Sequence, residues 1–283
     1  APGLSGKGKE AEKIEISDDL RQTDAFMMVV NAFSSDANPR ADIQALSDEM
    51  ILLDYVLAEQ NAQRRARKMK LTGDKSEKER VDLLQRCMEV LEQERPLIEC
   101  EFNATEEKLL RGYQFLTLKP QLIVINIGED DLAGSAEIEQ EYSNLIRPGH
   151  REVAVMCGKI QMDLVGLDDD ERREFMDDLG ITTSATDKVI QKSYQLLGLI
   201  SFLTTGEPEV RAWTISKGFT AQKAAGVIHS DIERGFIRAE VVAYDDYIRL
   251  KTPAAIKAAG KGRLEGKEYV VMDGDVILFR FNV

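Results

Sequence analysis

The sequence is poor in the residues that build disulfide and metal scaffolds: its 283 residues hold three cysteines and two histidines. Cys87, Cys100 and Cys157 are an odd number with no close spacing, which argues for reduced thiols against a disulfide framework or a zinc site. His150 and His229 stand far apart. No apolar run approaches the roughly 18 residues that a bilayer-spanning helix needs. No charged segment followed by an apolar one forms a leader, so no membrane contact and a cytoplasmic protein are expected. Positive charge is short as well. The 37 Lys and Arg face 50 Asp and Glu, a formal net charge of −13, so the chain as a whole repels a polyphosphate backbone. The deficit is uneven, because from Glu207 onward twelve basic residues stand against eleven acidic ones. That last part is the better candidate for touching RNA.

A working phosphate loop is also missing. The stretch GLSGKGK, Gly3 to Lys9, satisfies the spacing G-x-x-x-x-G-K, but Glu10 follows where a hydroxyl must hold magnesium, and no strand precedes it. GKGRLEGKE, Gly260 to Glu268, fails in spacing and in its last residue. The text opens on Ala1 rather than Met, and a chain whose beginning is missing is expected.

What is present divides into four blocks by periodicity. Residues 1–40 are Gly- and Lys-rich, then polar, and run into AFMMVVNAF, an apolar segment suited to a buried strand. Residues 41–104 read as a helical hairpin. Ile43, Leu46, Met50, Leu53 and Leu57 follow at steps of three and four, Val81, Leu84, Met88 and Leu91 repeat the spacing, and each row predicts the seam of a two-stranded coiled coil. Gly73 and Asp74 supply the turn. Arg64, Arg65, Arg67, Lys68 and Lys70 crowd near its tip, as a solvated helix end or as a docking surface for an acidic partner. Because the seam can be satisfied within one chain, a monomer is expected.

Residues 105–206 alternate helix and strand: a helix start at Thr105-Glu106-Glu107, the strand QLIVIN, a polar helical stretch over 136–147, the strand EVAVMC, and LDDDERREFMDDLG, opened by Asp168 and stopped by Gly180. That alternation predicts a mostly parallel sheet. Residues 207–283 read as a small mixed domain of ubiquitin-like size, with VRAWTI, RAEVVAY, EYVVM and VILFRF strand-like and AQKAAGVI helical.

Ligands of open parallel sheets bind beyond the carboxyl ends of the strands. Asn126 stands at one such end with Glu129 three residues on, and Cys157-Gly158-Lys159 stands at another. An amide offers an acceptor and two donors, and a carboxylate accepts two donors, so this pair can read the edge of a purine. A polar turn after a strand is equally ordinary structure, and the two readings balance only if both strand ends converge.

The terminal segments VRAWTISKGFTAQKAAGVIHSDIERGFIRAEVVAYDDYI and RLEGKEYVVMDGDVILFRFNV resemble the TGS domain of the YchF-type proteins, a branch of the Obg family of P-loop NTPases. LDDDERREFMDDLG, SYQLLGLISFLTTGEPEVRAW, FLTLKP and the NxxE turn Asn126–Glu129, in place of the NKxD of ordinary GTPases, fit the same family in order. The resemblance covers nearly the whole chain and lacks the family's first part, with its phosphate loop and magnesium-binding aspartate. It implies an α/β fold: a partial P-loop NTPase parallel sheet, a coiled-coil insertion and a β-grasp TGS domain. It also implies ATP or GTP with Mg2+ in the intact protein, Asn126 and Glu129 on the base, Cys157, Gly158 and Lys159 as the second base-side loop, and Gly3 near the terminal phosphate. A slow NTPase switch acting with the ribosome or RNA is the expected function. A non-catalytic ribosome-, RNA- or protein-binding module using the hairpin and TGS domain is the alternative. Family members use a histidine from the loop after the strand AFMMVVNAF, and that loop here, SSDANPRADI, has none.

Overall fold

Three apolar runs pair in parallel: β1 (Phe26–Asn31), β2 (Gln121–Asn126) and β3 (Arg151–Met156), in the order β1-β2-β3. In this computed structural model, residues 18–74, 76–181, 183–206 and 209–282 are described, and they fall into two compact units divided between Val189 and Ile190. The pseudo-phosphate loop and Gly3 lie outside the described residues. Residues 122–125 of the central strand are all buried, because both faces of a parallel sheet are covered.

The first described element of the first unit is the short helix α1 (Asp18–Arg21). After β1 comes α2 (Pro39–Thr72), with the Asn38 side chain accepting Ala41 N–H at its start and Gly73 at φ 67° closing its end. A left-handed residue at that point is the commonest helix stop and costs glycine nothing. The chain turns there into α3 (Ser76–Leu91), which packs along α2. Next come α4 (Ala104–Leu110), α5 (Ser135–Glu141), α6 (Gly158–Val165) and α7 (Asp169–Asp178). α7 starts on a capping box in which Asp168 accepts Asp170 and Glu171 N–H while Glu171 accepts Asp168 N–H. Such a cap is worth about 1 kcal/mol. The division between units falls inside α8 (Ala185–Leu196).

The expected helical hairpin forms, with Leu57, Leu84, Met88 and Leu91 in its seam, and only the first part of the α2 row departs from it. Ile43 and Met50 are buried, and Leu46 and Leu53 half-buried, in the core of the parallel sheet with Ile123, Ile125 and Val155, not against α3. The inter-helix seam uses the next stretch of α2, where Ala58 and Ala62 meet Leu84, Cys87 and Leu91. Regular three-four spacing thus runs through two cores in succession, and small residues let the helices approach.

The second unit carries a five-stranded mixed sheet in the order β5-β4-β8-β6-β7. Its strands are β4 (Leu199–Thr205), β5 (Val210–Ser216), β6 (Phe236–Ala243), β7 (Arg263–Glu265) and β8 (Asp275–Phe281). β4 pairs antiparallel with β5 along its whole length and parallel with β8, so the chain from Leu199 to Thr205 belongs to this sheet. The second compact unit therefore includes β4 and begins upstream of it. Helix α9 (Ala221–Ile228) packs the fully buried Ala221, Ala224 and Ala225 among Phe202, Val241 and Ile277. The helices α10 (Ser230–Arg234), α11 (Tyr244–Leu250) and α12 (Pro253–Ala258) complete the connections. EYVVM is not a strand. Apart from a single bridge, Thr220 to Val270, it is a loop pinned by Asp275, whose carboxylate accepts Met272 N–H at 2.9 Å and the Tyr269 hydroxyl at 2.8 Å.

Candidate functional site

The register brings the carboxyl ends of the three parallel strands to one edge, because Asn31 lies opposite Asn126 and Asn126 opposite Met156. Backbone bonds continue the alignment one residue further: Ala32 N–H donates to Asn126 O at 2.8 Å and Ile127 N–H to Met156 O at 2.9 Å. The turns after β2 and β3 consequently start side by side.

Two direct bonds join those turns. Asn126 Oδ1 accepts Gly158 N–H at 2.9 Å, and Lys159 Nζ donates to Glu129 Oε2 at 2.7 Å. A backbone N–H can only donate, so the amide must present its oxygen to Gly158. The two Nδ2 hydrogens of Asn126 have no partner among the described residues, and neither does Glu129 Oε1. Gly158 is the first residue of α6, and a Cβ there would sit 3.2 Å from Asn126 Oδ1, so glycine permits the close approach. Glu129 and Lys159 are exposed, and the hydrogen bond to the Glu129 carboxylate raises the Lys159 ammonium above its ordinary pKa.

Of the residues expected at this edge, Asn126, Glu129, Gly158 and Lys159 come together. Cys157 is adjacent, with its side chain buried in the sheet core. Two residues not singled out from the sequence also stand here. Asn31 Oδ1 accepts Phe33 and Ser34 N–H, folding the chain after β1 into a side-chain-capped turn, and its Nδ2 donates to Ser34 Oγ. That turn leaves Phe33 more than half exposed, close to Gly128 of the neighbouring loop. The signal was present in the sequence as Asn-x-x-Ser directly after an apolar run. A cavity of about 200 Å³ opens nearby between Ile127, Cys157, Gln161, Gly180 and Lys188. Asn126, Glu129 and Lys159 do not line it, so the amide and the ion pair work at an open edge.

Among the described residues no group of three or more His, Cys, Asp or Glu could hold a metal ion.

The family model YchF-GTPase_C, described as "Protein of unknown function (DUF933)", matches residues 199–282. A protein of Pasteurella multocida named "Ribosome-binding ATPase YchF" is 42% identical over 272 residues, covering 93% of this chain and 74% of the relative. A protein of the same name from Bacillus subtilis is 43% identical over 277 residues, covering 93% and 75%. Among solved structures, the "Structure of the Schizosaccharomyces pombe YchF GTPase" matches with a TM-score of 0.79 at 29% identity, covering 93% of this chain and 73% of that one.

Proposed function

The chain belongs to the YchF family, and from that membership we propose that it is a purine-nucleotide-binding, ribosome-associated NTPase whose base is held at the edge built by Asn126, Glu129, Gly158 and Lys159. One observation carries the assignment of residues: Asn126 commits its amide oxygen to Gly158 N–H and keeps both Nδ2 hydrogens. Purine N7 is an acceptor in adenine and guanine alike, so this amide serves either base. The carboxylate of Glu129 keeps one oxygen for an exocyclic amine while Lys159 holds the other. Guanine is selected when a short carboxylate faces its two N–H donors, and a longer side chain at a different pitch relaxes that selection, so ATP is admitted as well as GTP. The exposed ring of Phe33 offers a flat apolar face beside the same turn.

Calorimetry with ATP and GTP on a full-length version of the protein tests the assignment. Losing a neutral hydrogen bond is worth about 0.5–1.5 kcal/mol, so Asn126→Ala weakens binding roughly 2- to 13-fold. No binding by the unaltered protein, or the same affinity after Asn126→Ala, sinks it. A second reading, a ribosome-binding module in which turnover is incidental, is favoured by the absence of histidine from SSDANPRADI. It predicts co-sedimentation with ribosomes regardless of nucleotide and loss on deleting residues 207–283. Protein left at the top of the gradient in every condition counts against it.

A further inference from the structure

A second cleft of about 340 Å³ lies where α2, α3 and the chain after α4 meet, and it has no acidic residue in its lining. Four cations do line it, Arg64, Arg65, Arg80 and Lys108, together with Asn61 and Tyr113. Arg64 donates to Asn61 Oδ1 at 2.7 Å, a neutral partner that leaves its charge uncompensated. Arg65 is paired with Glu77 at 2.9 Å and stacks over the Tyr113 ring at 5.5 Å. Arg80 and Lys108 have no carboxylate partner among the described residues. The Tyr113 hydroxyl and Arg65 Nε are buried without a hydrogen-bond partner. In a chain of net charge −13, three of these cations, Arg64, Arg80 and Lys108, sit together without a carboxylate partner among the described residues and repel one another, and two unpartnered buried polar atoms are costly.

We propose that this cleft is a phosphate-binding site for single-stranded RNA, with Arg64, Arg80 and Lys108 contacting backbone phosphates and the Arg65–Tyr113 pair forming its floor. An anion supplies the missing counter-charge. Guanidinium forks match phosphate oxygens two at a time, and several cations spaced around one cleft suit a chain carrying a charge on every residue better than a lone carboxylate. A plane of guanidinium on tyrosine is also a surface on which unpaired bases stack. RNA as the source of the phosphate rests on the ribosome-associated reading above, while the anion site itself rests only on the cleft.

The test measures binding of a fluorescent single-stranded RNA oligonucleotide to the whole protein across a series of salt concentrations. Each phosphate contact contributes about 0.7 to the slope of log affinity against log salt for single strands. The double variant Arg80→Gln, Lys108→Gln should flatten the slope by about 1.4 and weaken binding about 25-fold at 0.1 M salt, the same slope carried over one decade from 1 M. Arg80→Lys with Lys108→Arg should restore the slope. The pair Lys70→Gln, Lys78→Gln removes the same charge elsewhere on the hairpin and should change it less. An unchanged slope in the cleft variant, or an equal loss in the Lys70, Lys78 control, overturns the proposal. So does equal displacement by a polyglutamate peptide of the same charge, which would make the partner an acidic protein segment. Co-sedimentation of the same variants with ribosomes separates the two readings. Unaltered protein that binds the oligonucleotide but not ribosomes defeats the ribosomal reading alone, and a cleft variant that sediments and binds RNA as before defeats the cleft alone.

Discussion

Replacing Asp54 by alanine should unfasten the loop that leads into the central strand. Asp54 lies in α2, its side chain fully buried, and its two oxygens accept Leu116 N–H at 2.9 Å, Thr117 N–H at 2.7 Å and the Thr117 hydroxyl at 2.8 Å. The Thr117 hydroxyl in turn accepts Leu97 N–H at 3.3 Å, so one carboxylate anchors a short relay. Arg21 Nη1, buried and 3.6 Å away, adds charge without a hydrogen bond. Burial pushes the Asp54 carboxyl above its ordinary pKa, and the backbone and hydroxyl donors pull against that. Asp54→Ala leaves two buried N–H groups without acceptors, at about 1–3 kcal/mol each. It also strands Arg21, while the carboxylate's own desolvation cost is relieved, and a net loss of about 3–5 kcal/mol is expected. Spread over a first unit of this size, that lowers its melting temperature by roughly 6–20 °C. Asp54→Asn keeps one acceptor oxygen and should cost about 1–3 kcal/mol. Calorimetric melting with Thr117→Val as the second arm of a double-mutant cycle measures the coupling. An alanine variant that melts within about 1 °C of the parent refutes the claim that this carboxylate holds the backbone.

Gly158→Ala separates stability from binding. At the first position of α6 the interior helix-propensity gain does not apply, and the added Cβ at 3.2 Å pushes the Asn126 amide aside, so thermal stability changes little while nucleotide affinity falls as in Asn126→Ala. Equal affinity by calorimetry would show that the close approach is unimportant. Glu77 is held to a pKa of about 2 by its hydrogen bonds to Lys68 and Arg65, against an ordinary 4.5. Depression means the ionised form is favoured by folding, so its stabilisation is complete above about 4.5 and fades as pH falls toward about 2. The melting difference between parent and Glu77→Gln should therefore shrink across that window, and a difference independent of pH contradicts the ion pair. Phe202→Ala should cost the second unit about 3–5 kcal/mol, and the sole tryptophan, Trp213, paired opposite Phe202, reports its denaturation by fluorescence.

Strands and caps were legible because their causes are local. Apolar runs bounded by polar residues marked β1, β2 and β3, and Asp168 with Glu171 marked the start of α7. The convergence of the site was legible only as a possibility of parallel pairing, since the register that sets Asn126 opposite Met156 is a long-range fact. Asp54 was invisible for the same reason. It sits between Leu53 and Tyr55 like any solvated acid on a helix, and the donors that bury it are 62 and 63 residues away in sequence. EYVVM misled because aromatic and β-branched residues fit any half-buried surface, and the Asp275 carboxylate, not a neighbouring strand, takes the Met272 N–H.

The division of α2 between two cores has a mechanical consequence. Its 34 residues make a rod about 50 Å long. One end contributes Ile43 and Met50 to the core beneath the sheet edge that carries Asn126, and the middle contributes Ala58 and Ala62 to the hairpin seam, with Asp54 tied to the approach to β2 between them. A helix so fixed cannot tilt at the basic cleft near Arg64 and Arg65 without moving residues packed on the sheet. Occupancy at the Asn126 edge and occupancy of the cleft should then be coupled, and by linkage each ligand shifts the other's affinity by the same factor. The Asp54→Asn variant, which loosens the tie while sparing both sites, should reduce that factor. RNA binding measured with and without ATP would show it, and identical coupling in parent and variant would place the connection elsewhere than in α2.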